Sequence, residues 1–205
     1  MIRHHPSAVL LLRHEAGRLP PLHARVLEAH LGQCEDCRAA LRDAEAVAGA
    51  LLASLDPVPL APDAWPNTLA RLSQPLDAAP ALPGAADALA AANGKPWRRI
   101  APGITTTALA ARDATGTRLD LLRVAPGASL LSHGHTGLET LCVLQGMYED
   151  GIETYAAGDF AEADGSIDHR PVALPGADCI CLFATTGRLT PHSLVGRLIR
   201  PFLGM

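Results

Sequence analysis

Apolar residues in the first third of the chain recur at intervals of three and four. Val9, Leu12 and Ala16 share one face of a helix that Pro6 can open and Gly17 can cap. Leu22, Val26 and Ala29 mark a second helix, opened by Pro20-Pro21 and ended by Gly32. Leu41, Ala44, Ala48, Leu51 and Leu55 give a third and longer one, with Cys37 in its first turn. After Pro57, Pro59 and Pro62, Asp63 can cap a short fourth helix in which Trp65, Leu69 and Leu72 form a stripe. That stripe either packs on its own domain or lies on a partner, since Trp and Leu at such spacing serve helix-in-groove contacts.

From Pro75 to Gly94 the periodicity dissolves into Pro, Ala and Gly. We expect a linker over 76–94, between a helical domain at 1–75 and a second domain at 95–205. In the second, short runs suited to strands take over: Ile104 to Ala110, Arg118 to Val124, Leu138 to Leu144 and Cys179 to Phe183, separated by Gly, Pro and Asp turns. Many short strands suggest a sandwich or barrel. The expected fold class is thus two domains, an N-terminal all-α one and a C-terminal all-β one.

At 205 residues, 48% hydrophobic and 19% charged, the chain can bury a core and is not a disordered polymer. A formal charge of −4 and a pI near 6.1 argue against nucleic acid as a direct partner. Apolar runs such as Ala8 to Leu12 are too short to span a bilayer, so no membrane is expected. The N-terminus has neither the apolar core nor the cleavage site of a signal peptide, which reads as cytoplasmic. Five cysteines is an odd count. Their pairing as Cys34-x2-Cys37 and Cys179-x-Cys181 suits metal or redox chemistry in a reducing compartment better than a disulfide framework.

His30, Cys34 and Cys37 span a tight turn and carry the ligand types that zinc prefers. A domain of this size has a thin core, and a metal is a common staple. A tetrahedral site needs a fourth ligand, for which the adjacent His4 and His5 are the obvious donors, with His14 and His23 as competitors. In the second domain, His133, His135 and Glu139 share strand parity if the strand continues through Gly137, and His169 can approach from a neighbouring strand. Three imidazoles and a carboxylate fit Zn, Fe, Mn or Ni. His192 lies outside that pattern and reads as surface, and Cys142 has the opposite parity and reads as packing. Cys179 and Cys181 share a strand face, as core residues or as a redox pair.

Gly127, His133-x-His135-x3-Glu139, Val143-Leu144-Gln145-Gly146, Gly158-Asp159-Phe160 and His169-x-Pro171 resemble the two sequence motifs of cupins. His5 with His30-x3-Cys34-x2-Cys37 resembles a zinc-binding anti-sigma domain. Together, in this order, they resemble the ChrR-type anti-sigma factors over nearly the whole chain. The resemblance implies a jelly-roll cupin barrel for the second domain and an extracytoplasmic-function sigma factor as partner. It also implies two zinc sites, His5, His30, Cys34 and Cys37 for the first and His133, His135, Glu139 and His169 for the second. The implied activity is inhibition of the sigma factor, relieved under oxidative stress of the singlet oxygen or peroxide type.

A disulfide between Cys34 and Cys37 would close too small a loop to constrain a distant helix, so sensing is expected in the cupin domain. The alternative from another class is a metal-dependent cupin enzyme, of dioxygenase or isomerase type, fused to a zinc-binding interaction domain. It would need an open coordination position and a substrate pocket. A third possibility is a regulator whose cupin takes a small molecule.

Overall fold

The computed structural model describes residues 1–74, 88–90, 92, 94–166, 169–187 and 189–191. Among the described residues, helices α1 (Ala8–Glu15), α2 (Pro21–Leu31), α3 (Glu35–Ala53) and α4 (Ala64–Leu72) come first. Eleven strands follow: β1 (Arg98–Ala101), β2 (Ile104–Ala110), β3 (Thr117–Val124), β4 (His133–His135), β5 (Glu139–Gln145), β6 (Met147–Glu149), β7 (Thr154–Ala156), β8 (Phe160–Ala163), β9 (Val172–Ala173), β10 (Cys179–Thr186) and β11 (Leu189–Pro191). The expected linker at 76–94 falls largely outside the described residues. Those described within it include Ala88 and Ala92, both buried.

The helix boundaries follow local chemistry. Ser7, one place after Pro6, caps α1 by accepting from the Leu10 amide at 3.2 Å, and Gly17 follows the helix at φ +63°. Pro21 opens α2 as expected. Cys34 caps α3, and Cys37 in its first turn is buried.

Two expected faces are corrected. In α1 the buried side chains are Leu10 and Leu11, whereas Val9 and Leu12 are 60% and 54% exposed. The run Ala8 to Leu12 is apolar throughout, so it names no unique face, and tertiary contacts choose it. In α3 the stripe leaves the core after Ala44, and Val47, Leu51, Leu52 and Leu55 stand exposed.

The barrel consists of a six-stranded antiparallel sheet in the order β1-β2-β3-β10-β5-β8, a three-stranded sheet β7-β6-β9 and the pair β11-β4. The large sheet is apolar on both faces. Leu122, Val124, Val143, Cys179 and Cys181 point inward, where Tyr148 joins them. Leu119, Leu121, Cys142, Phe160 and Leu182 point outward and form one cluster with Leu11, Leu22, Val26 and Leu27 of the helices. Helix α2 therefore lies on β3, β10 and β5, and the helical segment and the barrel share a core. The N-terminal residues cover the β8 edge: the Phe160 amide donates to the His4 carbonyl at 3.1 Å.

His23 is fully buried in this interface. Its Nδ1 lies 2.9 Å from Thr140 Oγ1 and its Nε2 2.8 Å from Thr186 Oγ1. A neutral imidazole offers one donor and one acceptor, and two hydroxyls satisfy both.

Candidate metal centres

The first cluster gathers His5, His30, Cys34 and Cys37, whose ligand atoms all lie within 4.8 Å of one another. The turn after α2 brings three of them: His30 in the last turn of α2, Cys34 at the cap of α3 and Cys37 one turn on. His5 arrives on the segment that runs beside β8. Its Nδ1 is 3.3 Å from both sulfurs, and His30 Nε2 is 3.2 Å from Cys37 Sγ. A tetrahedral ion with arms of about 2.0 Å to nitrogen and 2.3 Å to sulfur has edges of roughly 3.3–3.8 Å, so the donor set fits one.

His30 Nδ1 donates to the Gly158 carbonyl at 2.7 Å, which leaves its Nε2 lone pair for the cluster. Without a cation, burial pushes His30 down, and burial together with Cys34 pushes the Cys37 thiol up to about 12. A bound cation would reverse that preference by stabilising thiolate and neutral imidazole.

Of the adjacent histidines, only His5 enters the cluster. His4 turns to the barrel, where its Nε2 donates to the Thr154 carbonyl at 2.9 Å and its ring lies 4.3 Å from Tyr155. His23 is held by its threonines, and neither it nor His14 joins the cluster.

The second cluster is His133, His135, Glu139 and His169, again with ligand atoms within 4.8 Å of one another. The route differs from the expected continuous strand. β4 and β5 belong to separate sheets, β4 pairs with β11, and residues 136–138 carry the chain between them. His169 arrives by a backbone bridge to His133, with two N–H···O bonds of 3.2 Å. The His169 Nε2 atom sits 3.2 Å from the Nε2 atoms of both His133 and His135. Imidazole nitrogens meeting at this distance around a carboxylate suit a shared cation.

Burial pushes the Glu139 carboxyl up to about 7, opposed by the Thr185 hydroxyl. His133 Nδ1 donates to the Leu131 carbonyl at 2.7 Å, and Asp150 Oδ2 stands 4.0 Å from His169 Nδ1. Sequence reasoning misses Asp150, because its place depends on a loop whose Ile152 and Glu153 amides donate to its Oδ1 and on no spacing motif.

A cavity of about 250 Å³ opens beside this cluster, walled by Leu122, Leu141, Phe183 and Tyr148. Cys179 and Cys181 lie on its wall with their sulfurs 3.7 Å apart. The neighbouring Cys179 and burial push the Cys181 thiol well up. Cys142 is on the other face, in the core shared with α2, as its parity required.

One further feature is exposed. Trp65, Leu69 and Leu72 of α4 are 66%, 46% and 76% exposed, and no side chain of α4 is buried. With Val47, Leu51 and Leu52 of α3 and Leu55 just past its end, they place many large apolar side chains in solvent.

Comparison with known proteins gives a consistent picture. The family described as the ChrR cupin-like domain matches residues 85–189. The anti-sigma-E factor ChrR of Cereibacter sphaeroides is 36% identical over 210 residues, covering 98% of this chain and 98% of that protein. The crystal structure of Rhodobacter sphaeroides SigE in complex with the anti-sigma ChrR matches with a TM-score of 0.75 at 36% identity, over 90% of this chain and 99% of the matched one. An RmlC-like cupin protein of Ralstonia eutropha matches at 22% identity and a TM-score of 0.45, over 50% of this chain and 70% of the other. Among the described residues, no helix is long and apolar enough to cross a membrane.

Proposed function

The chain belongs to the ChrR family of anti-sigma factors, and we propose on that basis that it binds an extracytoplasmic-function sigma factor and keeps it from RNA polymerase. The observation that carries this is the exposed apolar surface of α3 and α4, in a chain similar end to end to a protein solved in complex with its sigma factor. Trp and Leu presented on a helix are suited to a groove of a partner helix domain. The role is regulatory, and its place is the cytoplasm, where a sigma factor meets polymerase. The working division is a helical clamp at 1–75, a linker at 76–94 and a cupin at 95–205.

His5, His30, Cys34 and Cys37 would hold one zinc ion, with all four positions filled by protein. Such a closed site fixes the directions of α2, α3 and the N-terminal segment and leaves no position for substrate. His133, His135, Glu139 and His169 would hold a second ion, whose charge keeps Glu139 ionised in its buried place. Zinc would supply no redox chemistry of its own in either site. Release under oxidative stress is then assigned to the cupin, where Cys179 and Cys181 face each other on the cavity wall.

The test is capture of the sigma factor encoded beside the gene by the zinc-loaded full chain, with inhibition of transcription from its promoter. Failure of the two proteins to associate would overturn the function.

A further inference from the structure

We infer that Tyr148, Tyr155 and His4 form a column of rings that couples the barrel cavity to the N-terminal metal centre. Tyr148 is 6% exposed and lines the cavity. Its ring stacks on that of Tyr155, with centroids 4.8 Å apart and planes 10° apart. Tyr155 in turn meets His4, with centroids 4.3 Å apart. The next residue along the chain is His5, a donor of the N-terminal cluster.

The column is tied to the backbone at its outer end. His4 Nε2 donates to the Thr154 carbonyl beside Tyr155, at 2.9 Å. The Arg3 and His4 amides donate to Asp159 Oδ1 at 2.7 and 3.1 Å, and the Phe160 amide donates to the His4 carbonyl. The Gly158 carbonyl, in the same turn, accepts a hydrogen bond from His30 Nδ1. Two of the four donors, His5 and His30, are thus oriented by residues 154–160 of the barrel. Cys34 and Cys37 are carried by the helices.

Tyr148 sits in the close-packed interior, and the half-buried Tyr155 and His4 are held by the β6–β7 pairing and the Thr154 carbonyl, so the rings have little room to yield sideways. A change at the cavity wall that moves Tyr148 must move Tyr155 and then the N-terminal segment that bears His5. Tyr155 and His4 act here as positioning residues, which never touch the ion. This deepens the reading of the N-terminal cluster as a metal centre and rests on it.

The test uses the full chain with Co²⁺ in place of zinc. Thiolate-to-cobalt absorption reports the Cys34 and Cys37 centre, because the ligand set of the barrel has no sulfur. Ala173, the cross-strand partner of Tyr148, lines the cavity, and A173L crowds the ring from inside. Cys181→Leu does so from another wall, should A173L fail to fold. The readout is the rate at which excess EDTA bleaches the cobalt band.

Crowding should accelerate bleaching by about five-fold or more in the native background, the low end of ordinary coupling between sites. Y155F keeps the ring and should keep that response, whereas Y155L should abolish it while remaining folded by circular dichroism. An equal response in Y155F and Y155L, or no response to crowding in the native background, overturns the column. A native chain that never shows the cobalt band overturns the metal centre itself, and the coupling with it. Sigma-factor capture is measured separately on the native chain, so loss of the coupling with capture intact is distinguishable from failure of the proposed function.

Discussion

His30 Nδ1 lies 2.7 Å from the Gly158 carbonyl oxygen, so a donor of the N-terminal centre is oriented by the turn between β7 and β8 of the barrel. Gly158 has φ +92°, and a Cβ there would meet Ile2 Cγ1 at 2.8 Å. Gly158→Ala is expected to lower stability by about 1–3 kcal/mol through backbone strain. It should also weaken metal binding at the N-terminal centre by about ten-fold, because the strained turn shifts the carbonyl that orients His30 without removing it. Thermal unfolding and competition with a chelator measure the two effects, and metal in the barrel centre should persist.

The two clusters should lose metal separately. Cys37→Ala is expected to remove one of two metal equivalents and with it sigma-factor binding. His133→Ala should remove the other equivalent and leave sigma-factor binding in place. Elemental analysis of protein purified without added metal decides this, and zinc is the metal expected. Unchanged metal content in either variant would count against that cluster.

On the helical side, Trp65→Ala and Leu69→Ala should weaken binding of the sigma factor by about ten-fold or more each, the range of a central aromatic or aliphatic anchor. Both side chains are exposed, so the melting temperature should hardly move. Calorimetric titration together with a melting curve separates the two outcomes.

His23 makes the interface between helices and barrel pH-dependent. Burial pushes its pKa down to about 4 in the folded chain, against about 6.5 when unfolded. Above pH 6.5 it is neutral in both states and has no effect. Between roughly pH 6.5 and 4 only the unfolded chain takes up the proton, so stability falls with falling pH, by about 3 kcal/mol across the window. Chemical unfolding at a series of pH values should show a shallower fall for His23→Gln than for the native chain. The difference between the two slopes isolates His23 from the other histidines.

Both candidate donor clusters were legible as groupings because they are local in sequence or carried by a recognisable spacing. His30, Cys34 and Cys37 fall within one helix-turn-helix, and His133-x-His135 alternates on one strand. Helix and strand types were legible too: the expected strand at 104–110 matches β2, and three others agree to within a few residues. The short strands β1, β6, β7, β8, β9 and β11 were not, because two to four residues carry too little periodicity to read. The choice of His5 over His4 rested on family resemblance, since neighbouring histidines have equal reach until the backbone is placed.

The sequence by itself determined the division into helical and strand-rich halves, the two candidate donor sets and the burial parity of Cys142, Cys179 and Cys181. These depend on periods of 3.6 and 2 and on ligand chemistry, which are written locally. Only the tertiary structure decided that the halves share a core, that His23 is a buried clasp between threonines, and that residues 154–160 orient His5 and His30. Each of these is a contact between segments far apart in the chain. Such contacts follow from which apolar faces meet in space, and the large sheet, apolar on both sides, leaves one face for the cavity and one for α2.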